Sequence, residues 1–195
     1  MSEFLTYLQL GYQHITDLNG FDHLLFLFAL CAVYGLDSWK KVLVLVTAFT
    51  LGHSITLALS SLGYLQIDSD LIEVIIPITI LITCVANFFH NFPKSIYKKT
   101  HNRPWIRYSL ASVFGLIHGL GFSNYLKSLL GQESNVTLPL FSFNLGLELG
   151  QIIIVIIIQA LNFLMTDMLK VKKKTWNLIL SGVVFGMAFM LALGR

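Results

Sequence analysis

Charge is what this chain has least of: only 12% of its 195 residues are Asp, Glu, Lys or Arg, while 55% are hydrophobic. A soluble domain carries about 25% charged residues to coat its surface, so a mean hydropathy of +0.74 points instead to a chain dissolved in lipid. Cysteine is scarce as well. Cys31 and Cys84 fall in apolar stretches without paired spacing, which excludes a disulfide framework and a thiolate metal knuckle and leaves two small buried hydrophobes. No Pro/Ser-rich linker or low-complexity run divides the sequence, so one transmembrane domain over residues 1–195 is expected. The basic residues form no stripe interleaved with aromatics, which excludes a nucleic-acid partner despite the net charge of +3. Nor does a basic region with a small-residue cleavage site precede the first apolar run, so no removable signal peptide is expected.

Apolar runs of membrane-crossing length are abundant. A hydrocarbon core of ~30 Å needs about 20 helical residues. Cutting the sequence where charges cluster yields segments at about 21–36, 40–62, 71–92, 105–126, 138–165 and 175–193. The first is short unless its helix reaches back through residues 5–18. There Phe4, Leu5, Leu8, Tyr12 and Ile15 mark an amphipathic segment at the interface or dipping into it, punctuated by Gly20. The expected fold is therefore all-α, a polytopic bundle of about six transmembrane helices with an N-terminal amphipathic or re-entrant segment.

The few charges orient this bundle. Lys40 and Lys41 follow the first segment, Lys94, Lys98, Lys99, Arg103 and Arg107 the third, and Lys170, Lys172, Lys173 and Lys174 the fifth, eleven of the thirteen Lys and Arg. The other side carries Lys127 and Arg195 beside Asp68, Asp70 and Glu133. The positive-inside rule then places both termini outside, with a bacterial inner membrane as the expected location.

Against this background four of the six histidines stand out: His14, His23, His53 and His118 lie in or at the mouths of spanning segments. An ionisable group costs about 2.5–3.5 kcal/mol at mid-bilayer on insertion scales, so each marks function by default. At 1.5 Å per residue His53 lies ~20 Å along the second segment from Lys40, and His118 a similar distance from Trp105. Descending from Pro139, Asn144 and Glu148 come about 8 to 13 Å below the outer surface, and Asp22 and His23 open the first segment on that side. Four helices thus deliver His, Asp, Glu and Asn to one stratum of the outer leaflet. Plainer readings exist: an interhelical hydrogen bond for any one histidine, a dipole-complementing cap for Asp22, and close packing for Ser112, Gly115 and Gly119. Glu148 resists them, because a buried carboxylate needs a cation, a proton or a strong donor.

Imidazole with carboxylate or amide oxygen, and no cysteine, suits nickel, zinc, cobalt or ferrous iron better than Cu(I), Mg or Ca. His14 and His23 can converge if the chain turns at Asn19-Gly20. A second signal lies on the fifth segment, where Asn144, Glu148, Gln151, Gln159 and Asn162 fall within about 80° of one another at ~100° per residue. Such a stripe, ~27 Å long, lines a pathway or glues helices together. On the third segment Glu73, Thr83, Asn87 and His90 also interrupt apolar sequence, and Pro77 is placed to bend the helix or free a carbonyl.

The stretches GFDHLLFLFAL, TAFTLGHSITLAL, FGLIHGLGF and FNLGLELGQ, in this order on separate segments, resemble the HupE/UreJ type of hydrogenase and urease accessory membrane proteins over about residues 11–153. The resemblance implies a small polytopic protein linked to nickel, or cobalt, uptake for metalloenzyme maturation. It carries the family's histidine motifs onto His14, Asp22, His23, His53 and His118, and its Asn-Gly-Glu-Gln motif onto Asn144, Glu148 and Gln151. Gly52 stands before His53 where many relatives would have Ala, and Asp17-Leu18-Asn19 is rather polar; neither change removes a ligand.

Two functions fit. One is a divalent-metal permease for nickel, zinc or cobalt, with His14, Asp22, His23, His53, His118 and Glu148 as the metal site and Asn144, Gln151, Gln159, Asn162 and Asn87 along the pathway or behind the ligands. The other is an intramembrane zinc hydrolase or transferase at the outer leaflet, in which His14, His53 and His118 hold the metal and Glu148 is the general base. Ser54 and Ser123 sit in no nucleophile-elbow pattern. The stripe favours transport, since an outer-leaflet enzyme has no use for Gln159 and Asn162. The expected partners are lipid and the metal ion, with room for a homo-oligomer. If the orientation is right, a cysteine placed within 64–69 reacts with an impermeant thiol reagent added outside, and one within 97–102 does not. The opposite labelling would overturn the assignment of depth.

Overall fold

Lipid cannot satisfy exposed backbone polar groups, and the chain answers with helix almost throughout. A computed structural model describes residues 2–18, 20–90, 92, 104–130 and 136–194. It contains α1 (Glu3–Thr16), α2 (Asp22–Cys31), α3 (Trp39–Ser61), α4 (Ser69–Phe88), α5 (Pro104–Leu130), α6 (Thr137–Phe163) and α7 (Lys173–Leu193). A short 3-10 turn, Leu36–Ser38, leads into α3, and α6 runs on through a wider π turn, Leu164–Met168. Ser2 and Asp68 cap α1 and α4 by accepting from the Leu5 and Asp70 N–H groups, and α4 continues through Pro77 as one helix.

Four of these stretches, Leu36–Ser61, Ser69–Phe88, Thr137–Met168 and Lys173–Leu193, are long and apolar enough to cross a membrane. The expected bundle is thus met in its helical, membrane-spanning character, while its count of six is not reached by this measure among the described residues. α5 has the length, 27 residues, but is diluted by Arg107, His118, Ser123, Asn124 and Lys127. The first expected segment is only ten residues of helix, α2, ~15 Å of rise and too short to cross alone. Lys94, Lys98, Lys99, Arg103, His101, Asn19, Glu133 and Arg195 lie outside the described residues.

Two close helix pairs form the frame, α1 with α6 and α3 with α5. A Cβ at Gly11 would run into the Phe143 carbonyl oxygen, and one at Gly146 into that of Leu8, so the two backbones touch. The contacts advance together from Leu8 against Gly146 to Ile15 against Gly150, which makes α1 and α6 parallel. The second pair repeats this device. Gly52 meets the Ser112 carbonyl, Gly115 that of Phe49, and Gly119 that of His53 and the Thr56 hydroxyl. Leu8, Gly11, Tyr12 and Ile15 therefore occupy in α1 the places of Phe49, Gly52, His53 and Thr56 in α3, and Phe143, Gly146 and Gly150 those of Ser112, Gly115 and Gly119. In lipid, where burying apolar surface gains little, such small-residue crossings are a principal source of helix association.

α1 is thus clamped lengthwise to α6 rather than laid across the bundle. Farther along α6, Asn162 donates to the carbonyls of Cys31 and Tyr34 at the end of α2, so α1 and α2 follow α6 in the same direction, separated by a non-helical break. α4 and α7 pack on each other and on α2. Two apolar clusters fill the interior, one around Ile15, Leu27, Phe143 and Leu147, the other around Phe26, Phe49, Ile80 and Phe114. Outward faces are equally apolar, with Leu51, Ile156 and Met190 exposed as a lipid-facing surface requires.

The glycine contacts generate a test. Valine at Gly115 or Gly146 should cost about 1–3 kcal/mol or more through overpacking against backbone, whereas Gly182, with nothing within 4 Å of its added Cβ, should accept it. Thermal unfolding of the purified protein in detergent would show the difference; equal tolerance at all three sites would refute the close crossings.

Candidate metal centre

Each glycine crossing delivers an imidazole. His53 of α3 and His118 of α5 stand one turn or less from the glycines at which those helices touch, and each lies 14 residues, ~21 Å, from the start of its helix. His14 occupies the last turn of α1 and His23 the first turn of α2, so the break between those helices brings their ends together. Ligand-capable atoms of His14, His23 and His53 lie within 4.8 Å of one another. The His118 ring is 5.1 Å from that of His23, centre to centre.

Bonds behind the rings set their chemistry. The Asp22 carboxylate accepts from His23 Nδ1 at 2.9 Å and from the His23 backbone N–H at 2.8 Å. An ionised carboxylate can only accept, so the proton sits on Nδ1 and leaves the Nε2 lone pair turned elsewhere. His118 does the same with the Phe114 carbonyl, 2.8 Å from its Nδ1. Among the described residues, His14 Nε2, His23 Nε2, His53 Nδ1 and Nε2, and His118 Nε2 are then buried without a partner. An unsatisfied buried polar atom costs about 1–3 kcal/mol, and five in one place are hard to reconcile with a merely structural role. Phe26 and Phe49 pack on His118 at 5.3 and 5.2 Å, and Phe122 on His14 at 3.9 Å, so the walls are apolar. Neutral imidazoles with a free nitrogen in a dry setting are what a borderline divalent ion such as nickel, cobalt or zinc takes as ligands.

Asp22 therefore backs His23. Glu148 is not in the imidazole group; it is half-buried on the seam between α3 and α6, where its Oε1 accepts from Thr47 Oγ1 at 2.7 Å. Two further bonds lace that seam, Thr50 Oγ1 to Gln151 Oε1 at 2.7 Å and Ser54 Oγ to Asn144 Oδ1 at 2.6 Å. Thr47 and Thr50 escaped the sequence reading and Ser54 entered it only as a dismissed nucleophile, although their i, i+3, i+7 spacing places the three hydroxyls on one helix face. The rest of the stripe divides. Gln151 Nε2 and both amide atoms of Gln159 are buried without partners among the described residues. Asn162 is a tie, donating to α2 and accepting from Trp176 Nε1 at 2.8 Å. Asn87 likewise binds the Ala29 carbonyl at 2.6 Å and Ser181 at 3.3 Å, while Asn177 donates to its backbone.

Residues 1–193 match the family described as HupE / UreJ protein. The chain belongs to the HupE/UreJ family. No curated protein and no solved structure matches it. Membership extends the resemblance beyond residues 11–153 to α7 and the start of α1, and it attaches this HupE/UreJ chain to a family associated with nickel and cobalt transport or accessory function. His90 of the same chain sits apart from the centre, its Nδ1 3.1 Å from Arg107 Nη2.

Replacing His53 or His118 with Ala should abolish tight binding of Ni(II) or Co(II), and Asp22→Asn should weaken it about 10–100-fold by freeing the His23 tautomer. His90→Ala should bind as before. Titration of the purified variants with elemental analysis decides this; full retention of metal in a His53/His118 double variant would remove the assignment.

Proposed function

We propose that the chain is a permease for a divalent transition metal, nickel first and cobalt or zinc as its neighbours in ligand preference, with its centre in the outer half of a bacterial inner membrane. The observation that carries this reading is the convergence of four imidazoles from four helices, three of them buried, with five buried ring nitrogens that have no partner among the described residues. On it, α1 and α2 together make one discontinuous span, broken at the metal as in transporters whose half-helices meet at the substrate. With α3 to α7 that makes about six spans, both termini outside.

His14, His23, His53 and His118 replace the ion's water. Asp22, behind His23, and Glu148, on the adjoining seam, compensate its charge. Inward passage follows α6, where Gln151 and Gln159 are eight residues, ~12 Å, apart and have amide atoms to offer. Asn162 and Asn87 hold α2 against α6, α4 and α7 while the ion passes.

The hydrolase alternative needs a proton acceptor beside the metal. Asp22 is bonded to His23 Nδ1, and Glu148 stands outside the imidazole group on the α3–α6 seam, which supports transport. Gln159→Leu should leave Co(II) binding within about twofold of the parent yet slow flux into proteoliposomes at least tenfold, and Glu148→Gln should weaken capture by a similar factor through lost charge compensation. Tight binding with no flux in the unmodified protein, under both a proton gradient and a membrane potential, would overturn the permease. Metal retention with lost turnover in Glu148→Gln would favour the enzyme.

A further inference from the structure

Of the four imidazoles, three are shut away: His23 is 5% exposed, His53 and His118 are fully buried. His14 is the exception. It is half-buried and forms part of the wall of a cleft of about 650 Å³ between α1 and α5, lined also by Gln13, Thr16, Asp17, Phe122 and Tyr125. A six-coordinate aqua ion, at ~30 Å³ per water, needs on the order of 200 Å³ and fits with its hydration intact. Phe122 spans the junction. Its ring lies 3.9 Å from that of His14, 5.1 Å from Phe143 in a stack tilted by 16°, and 5.1 Å from Tyr125.

Resting on the metal reading above, we propose that this cleft is the aqueous entrance to the centre: a hydrated divalent cation meets His14 first, and Phe122 is the positioning residue that aims the His14 ring. Two independent features converge on it. Non-helical backbone at membrane depth is tolerated only where it is buried in protein or lines a water-filled cavity, and the break between α1 and α2 exposes Asp17 and Leu18, the latter 78% exposed, on this cleft. A cavity facing lipid would be lined by aliphatic side chains throughout, whereas here Leu10 and Leu18 alternate with an amide, a carboxylate, a hydroxyl, an imidazole and a phenol. His14 Nε2 is buried without a partner although the residue borders the cleft, so the ring joins the wet side to the dry side. Exchange of one aqua ligand for that nitrogen begins a dehydration that His23, His53 and His118 complete. Phe122, wedged between His14 and Phe143 beside the Gly11 crossing, restricts the ring to the orientation from which the ion is passed on.

The test uses the full chain and Co(II) alone. Tyr125 is 54% exposed at the cleft and Tyr64 76% exposed between α3 and α4, outside the spanning helices, while Cys31 and Cys84 are fully buried, so single cysteines at 125 or 64 react selectively with a bulky hydrophilic thiol reagent. Labelling Tyr125→Cys should slow Co(II) association at least tenfold, and labelling Tyr64→Cys should not change it. Protein loaded with Co(II) before labelling at 125 should keep its metal and release it more slowly. Phe122→Leu should weaken Co(II) binding at least tenfold, with Phe122→Tyr restoring it. Unchanged association after complete labelling at 125 would overturn the entrance while leaving the centre standing, and so would loss of preloaded Co(II), which would make the label a disruption of the centre. Absence of Co(II) binding in the unlabelled parent would instead refute the metal reading itself.

Discussion

Backbone-to-backbone contact at glycine is the constraint on which the rest of the molecule depends. In lipid, helices gain little by hiding apolar side chains from one another, so close approach must come from removing side chains altogether. Gly11, Gly146 and Gly150 do this for α1 and α6, and Gly52, Gly115 and Gly119 for α3 and α5. The equivalence of the two crossings is visible, once known, in Leu10-Gly11 and Leu51-Gly52, and in the Gly-x-x-x-Gly of both α5 and α6. What differs between them is chemistry: the place of His53 in one pair is taken by Tyr12 in the other, and His118 has its counterpart at Leu149. One frame thus serves twice, with imidazoles inserted asymmetrically.

Holding the helices this tightly makes a cluster of unpartnered ring nitrogens tolerable. Three of the four rings are fixed from behind or beside, His23 by Asp22, His118 by the Phe114 carbonyl and His14 by Phe122. None needs the ion to stay in place. On the proposed metal reading, a site organised beforehand loses little ordering entropy when it binds, and Phe26, Phe49 and Phe143 wall it with apolar rings. The break between α1 and α2 adds Asp17 and Leu18 to a cleft whose other lining comes from α1 and α5.

The same polar residue types play different parts according to what lies opposite. Asn162 and Asn87 face carbonyls at the end of α2 and become ties, whereas Gln159, on the same stripe as Asn162, meets no donor or acceptor among the described residues. Thr47, Thr50 and Ser54 meet Glu148, Gln151 and Asn144 across one seam between α3 and α6. A helical stripe records which residues share a face. It does not record what the neighbouring helix brings to it.

Much of the helical layout was legible in the sequence. The segments expected at 40–62, 105–126, 138–165 and 175–193 begin within a couple of residues of α3, α5, α6 and α7, because hydropathy and helical length are local quantities that add along the chain. The donor residues were legible for the same reason: histidine in an apolar run is conspicuous wherever it folds. The first segment misled, because ten apolar residues look alike whether they continue a helix or restart one after a break, and only the packing of α1 along α6 distinguishes the two. Membrane residence and the list of candidate ligands were therefore determined by the sequence alone. Which of them meet was decided by the tertiary structure, which gathers His14, His23, His53 and His118 and leaves Glu148 on the neighbouring seam, since interhelical distance and direction depend on contacts between glycines far apart in the chain.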